Sequence, residues 1–113
     1  MKKIPLLLLL LAAACSKSKL PAPASKVKIS NVTARTSVTL TNNTGAAVDL
    51  SGWQLKEVVD YFTTTTTTFT ISGKTLAKGA SISFTTTELN FKLSMSYTRI
   101  YLYDNAGNLV DDY

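Results

Sequence analysis

The side chains from which active sites are most often built are scarce in this 113-residue chain: seven carboxylates, one thiol and no imidazole. Without histidine there is no Ser–His or Cys–His pair to activate a nucleophile, and the usual zinc ligand sets are out of reach. The acids are Asp49, Glu57, Asp60, Glu88, Asp104, Asp111 and Asp112. Asp111 and Asp112 are adjacent, so on a strand they point to opposite faces and cannot converge on one substrate atom. Gly73-Lys74-Thr75 matches only the end of a phosphate-binding loop, since Thr68 stands where the earlier glycine is needed and no helix pattern follows. In Asp104-Asn-Ala-Gly-Asn108 the glycine comes three residues after the aspartate, too early for an EF-hand loop, and a bulged hairpin turn is expected. The residues therefore predict no enzyme, no metal site and no cofactor.

Two stretches have the composition of interaction surfaces. Strand alternation through Thr98, Ile100 and Leu102 places Tyr97, Arg99, Tyr101 and Tyr103 together on the other face. Such a row can stack on sugars, bases or partner side chains, or its rings can simply cover one another. The second stretch is Thr63 to Thr68, six threonines following Tyr61-Phe62. It is uncharged, β-prone and free of proline, as an edge strand able to pair with another chain would be, or as an extended loop and strand without a special partner.

The thiol belongs to a different kind of chemistry. The chain begins Met-Lys-Lys, continues with an apolar run from Ile4 to Leu11, and reaches Ala12-Ala13-Ala14-Cys15. A basic start, a short apolar stretch and small residues at a cleavage point are the parts of a secretory signal. The run is well short of the roughly 20 apolar residues that span a bilayer. With a single cysteine placed directly after the small residues, the segment resembles the lipobox of bacterial lipoproteins. Residues 1–14 would then be a signal peptide, and Cys15 the acylated N-terminus (palmitate among its chains). Two or three acyl chains on one residue would make a lasting anchor, since one chain alone binds only reversibly. Cleavage would also remove two of the 12 basic side chains, leaving ten against seven acids. A side-chain charge of +3 is a weak basis for nucleic-acid capture, which is the least favoured function.

Residues 15–25 read Cys-Ser-Lys-Ser-Lys-Leu-Pro-Ala-Pro-Ala-Ser, the composition of a solvated tether stiffened by Pro21 and Pro23. Ser16 is not aspartate, which by resemblance to Gram-negative lipoproteins implies the outer membrane. In a Gram-positive cell the same anchor would sit on the outer face of the plasma membrane.

What positions these residues is a set of short strands. From Lys26 onward the apolar period is two: Val27 and Ile29, Val38 and Leu40, Phe69 and Ile71, Ile82 and Phe84, Ile100 and Leu102. Seventeen threonines favour strands, no window holds a helical period, and Asn-Gly, Ser-Gly and Lys-Gly clusters separate the runs. This predicts an all-β sandwich or small barrel over residues 26–113. Leu50 and Leu55 flank Trp53, and with Phe84, Ile100 and Leu102 they form the expected core, Trp53 plugging one end beside Gly52.

The order of segments is also informative. Thr39-Leu-Thr-Asn-Asn-Thr-Gly-Ala-Ala-Val-Asp-Leu-Ser-Gly-Trp-Gln-Leu55, then Phe69-Thr-Ile71, Leu76-Ala-Lys-Gly-Ala80 and Arg99-Ile-Tyr-Leu-Tyr-Asp-Asn-Ala-Gly-Asn-Leu-Val-Asp111 together resemble the lamin tail domain. That resemblance implies an immunoglobulin-like sandwich serving as an interaction module, here on a lipid anchor in the cell envelope. Its expected partner is an envelope or extracellular protein or glycan. Self-association through the threonine edge is the alternative. The short link between the first two strands and the stop at Tyr113 depart from the family pattern and predict a short last edge strand, or else a slightly open sandwich.

Overall fold

The computed structural model describes residues 25–113. The signal segment, Cys15 and nearly all of the expected tether lie outside the described residues. The elements are β1 (Val27–Thr33), β2 (Ser37–Asn42), β3 (Val48–Asp49), β4 (Gln54–Asp60), β5 (Thr64–Thr70), β6 (Thr75–Leu76), β7 (Ser81–Thr85), α1 (Thr86–Leu89), β8 (Thr98–Tyr103) and β9 (Leu109–Asp112). All ladders are antiparallel. One sheet has the order β1-β2-β7, the opposing sheet β9-β8-β4-β5, and β3 pairs with β6. This is the expected all-β, immunoglobulin-like sandwich.

Alternation explains which residues go inside. Val38 and Leu40 of β2, Leu55 of β4, and Ile100 and Leu102 of β8 face the space between the sheets and are buried. β1 departs from strict alternation. A bulge between Ile29 and Asn31 shifts its register by one residue, so Val27, Ile29 and Val32 all reach the core. Leu50, Leu55, Phe84, Ile100 and Leu102 are each no more than 1% exposed. Trp53 is only half-buried and packs on the core's margin rather than within it.

The two long sides of the sandwich differ. Along one, Asp111 of β9 crosses to β1, accepting from the Ile29 N–H at 2.7 Å and from Lys26 Nζ at 2.9 Å. Short as it is, the last strand thereby closes that side. Along the other side run the edges of β5 and β7, joined through the rings of Phe69 and Phe84 with centroids 5.5 Å apart.

The two ends differ as well. At the end where Lys26 enters, buried Asn42 donates to the carbonyls of Ala46 and Leu76 and accepts from the Thr44 N–H and hydroxyl, fastening the loops around it. At the far end, α1 is a single turn capped by the Thr85 hydroxyl, which accepts from the Glu88 N–H. It leads into a segment whose Leu89, Phe91 and Leu93 are buried, so these residues seal that end of the core.

Candidate binding surfaces

The tyrosine row lies on the outer face of the four-stranded sheet, where register fixes its neighbours. Arg99, Tyr101 and Tyr103 of β8 stand opposite Val58, Lys56 and Gln54 of β4. Beyond these lie Thr66, Thr68 and Thr70 of β5, and on the other flank Asp112 beside Tyr101 and Leu109 beside Tyr103. The Tyr101 and Tyr103 rings are 6.4 Å apart and tilted by 36°, and Lys56 Nζ sits 5.0 Å from the Tyr103 centroid. Both rings are half-buried by these neighbours, while Arg99 is exposed. The face carries an aromatic centre fringed by two cations and Asp112. Its rings supply contact area at little conformational cost, and the fringe supplies orientation.

Tyr97 does not belong to this row, which corrects the expectation from alternation. It precedes β8, and a φ of 60° breaks the strand period there. Its ring turns to the end of the sandwich and packs on Tyr61, 5.1 Å away.

At that end is a cleft of about 510 Å³, within the range of small-molecule sites. Arg35, Lys92, Tyr61, Tyr97, Ser94 and Ser96 line it. Its floor depends on Glu57, a carboxylate only 1% exposed on β4. Glu57 accepts from the Lys92 N–H at 2.9 and 3.1 Å and from the Leu93 N–H at 2.7 Å, pinning the 90–97 segment against the sheet. The Arg35 N–H donates to the Leu93 carbonyl, and the Asp60 N–H to that of Tyr97, so three loops are stitched together.

The backbone here is unusual. Among the described residues, six non-glycine positions have positive φ: Arg35, Phe62, Asn90, Leu93, Met95 and Tyr97. All six lie at this end. The four glycines with positive φ, Gly52, Gly73, Gly79 and Gly107, all serve turns at the opposite end. A bulky side chain in this conformation costs about 1–2 kcal/mol relative to an ordinary backbone. Sequence patterns gave no sign of this strain, since nothing in Phe91-Lys-Leu-Ser-Met-Ser-Tyr97 marks a turn type.

The threonine run forms most of β5, an edge strand paired with β4 in unbroken register from Gln54↔Thr70 to Asp60↔Thr64. It has no proline, bulge or charge, the devices that usually guard such edges.

Three of the other acids, Asp49, Asp104 and Asp111, are engaged in structure. The Ser51 N–H, helped by the Ser51 side chain, holds Asp49 below the usual carboxylate range. The Asn108 N–H does the same for Asp104, against slight desolvation and with further help from the turn around Gly107. That carboxylate is thus taken up by its own hairpin. Burial raises Asp111, but the Lys26 ammonium and the Ile29 N–H outweigh it, and the net shift is downward. Gly73-Lys74-Thr75 forms the turn into β6, with the Lys74 carbonyl accepting from the Leu50 N–H. No cluster of three or more metal-ligating side chains occurs among the described residues.

Comparison with known proteins supplies one assignment. Among curated proteins no significant match was found. The family model for the Lamin Tail Domain matches residues 21–113, most of the chain, in keeping with the sandwich and its closing β8–β9 hairpin. The chain belongs to the lamin tail domain family.

Proposed function

We propose that this chain is a non-enzymatic interaction module, held to a bacterial cell envelope by acyl chains on Cys15 and contacting a partner through the outer face of its four-stranded sheet. An immunoglobulin-like lamin tail domain fits a protein-interaction role. The anchor rests on the order of the first fifteen residues and on the placement of the only thiol. Among the described residues no helix is long and apolar enough to cross a membrane.

The observation that carries the binding face is the Lys56–Tyr101–Tyr103–Arg99 group. Its residues share the outer face of the sheet and none of them lines the end cleft, and an open sheet face suits a protein partner better than a small ligand, which needs concavity. The double variant Tyr101→Ser/Tyr103→Ser should fold as the parent does but lose its partner in cells. Retained partner capture by that variant would refute the assignment.

A second reading is self-association through β5. It is supported by the regular, uncharged ladder from Thr64 to Thr70, whose outer backbone groups have no neighbouring strand in the sheet order.

A further inference from the structure

We infer that the cleft at the end of the sandwich farthest from Lys26 binds an acidic saccharide, one whose sugar rings carry carboxylates. Three observations converge on this class. The cleft is lined by two cations, Arg35 and Lys92, and no carboxylate is among its lining residues. Of the acids on neighbouring β4, Glu57 is committed to the Lys92 and Leu93 N–Hs, and Asp60 accepts from the Thr64 hydroxyl. Among the described residues the one ion pair is Lys26–Asp111, at the other end of β1, so an anion in the cleft would meet cations not already neutralised.

The aromatic geometry selects among anions. Tyr61 and Tyr97, which both line the cleft, are 5.1 Å apart and tilted by 38°. Rings this close touch each other and leave no slot for a planar base to enter between them. They form instead a bent wall, against which the C–H face of a pyranose can lie. Ser94 and Ser96 complete the lining with small polar residues; the Ser94 hydroxyl is bonded within the loop, to the Ser96 carbonyl and the Thr98 hydroxyl. A bare phosphate would satisfy the cations and leave the rings unused.

The backbone gives the third observation. Every turn at this end is built without glycine, although Arg35, Tyr97, Leu93 and Met95 occupy conformations that glycine adopts freely. Two of these four, Arg35 and Tyr97, line the cleft. Strain retained where a side chain is needed is the pattern of binding sites.

This inference is independent of the sheet face and of the anchor. The test uses the full chain in detergent and calorimetric titration with trimers of galacturonic, glucuronic and mannuronic acid. Their methyl esters, inorganic phosphate and a short single-stranded DNA are the comparison ligands. At least one trimer should bind in the micromolar to millimolar range, with its ester about tenfold weaker or more. Arg35→Gln and Lys92→Gln should each weaken binding about fivefold. Tyr97→Gly should weaken it about tenfold while leaving Tm unchanged or higher, because glycine relieves the strained φ. The proposal is overturned if none of the trimers binds, or if ester, phosphate or DNA binds as tightly. Full affinity in Tyr97→Gly would also overturn it. So would loss of binding in Tyr101→Ser/Tyr103→Ser with the cleft variants unaffected, which would move the site to the sheet face.

Discussion

Leu93 donates its backbone N–H to the Glu57 carboxylate at 2.7 Å, across 36 positions of sequence, in a place from which water is excluded. Together with the Lys92 N–H this bond holds the 90–97 segment, with its four positive-φ residues, against β4.

Replacing Glu57 should therefore cost more than removing one surface charge. In Glu57→Gln the amide oxygen can keep the Leu93 N–H, and the amide NH2 then takes the place of the oxygen that accepts from the Lys92 N–H at 2.9 Å, setting donor against donor. We expect a loss of about 2–3 kcal/mol, seen in urea as a lower midpoint with an unchanged slope. Hydrogen exchange at the Leu93 amide should accelerate in the same variant. An unchanged midpoint would contradict the role given to Glu57.

Asp111 predicts a pH dependence. Its pKa in the folded protein is below the ordinary value despite burial, through Lys26 and the Ile29 N–H. A depressed carboxylate contributes stability that is present above the unfolded pKa of about 3.9 and lost as pH falls through the lower folded value. Asp111→Asn should thus be less stable than the parent by about 1 kcal/mol at neutral pH. The gap should close below about pH 4, while Asp49 and Asp104 maintain part of the acid limb in both proteins. Thermal unfolding across the pH range checks this, and a gap that widens in acid would contradict it.

The period-two pattern made most of the sandwich legible, because burial on one face and solvent on the other leave a trace in every strand: Val38 and Leu40, Ile100 and Leu102. Where tertiary contacts override the period, the trace fails. The bulge after Ile29 rotates the strand without a glycine to mark it. Glu57 is charged yet faces the core, since its partners are backbone N–Hs some 35 residues away and backbone groups carry no sequence signature. Tyr97 continues the alternation of Arg99, Tyr101 and Tyr103 on paper. Its left-handed backbone instead sends it to the end cleft, which brings together three separate loops.

The β5 edge gives a prediction for the second reading. Thr66→Lys places a charge mid-strand on the solvent face, opposite Val58, where it disturbs no core contact. If copies associate through β5, sedimentation of the full chain in detergent should show concentration-dependent species for the parent and none for the variant. A parent that stays monomeric across the accessible range would sink self-association.

The anchor is tested by Cys15→Ser. The variant should lack the acyl mass and leave the membrane fraction, if it is processed at all. Full retention in membranes would contradict lipid anchoring at that residue.

The central claim, that the outer face of the four-stranded sheet is the partner surface, is tested most directly by a photocrosslinking residue at position 101 in living cells. A matched residue replaces Ser83, exposed on the opposite sheet, as the control. The account predicts a discrete adduct from position 101 that disappears when Tyr103 is replaced by serine, and none from position 83. Equal adducts from both positions, or none from 101, would contradict it.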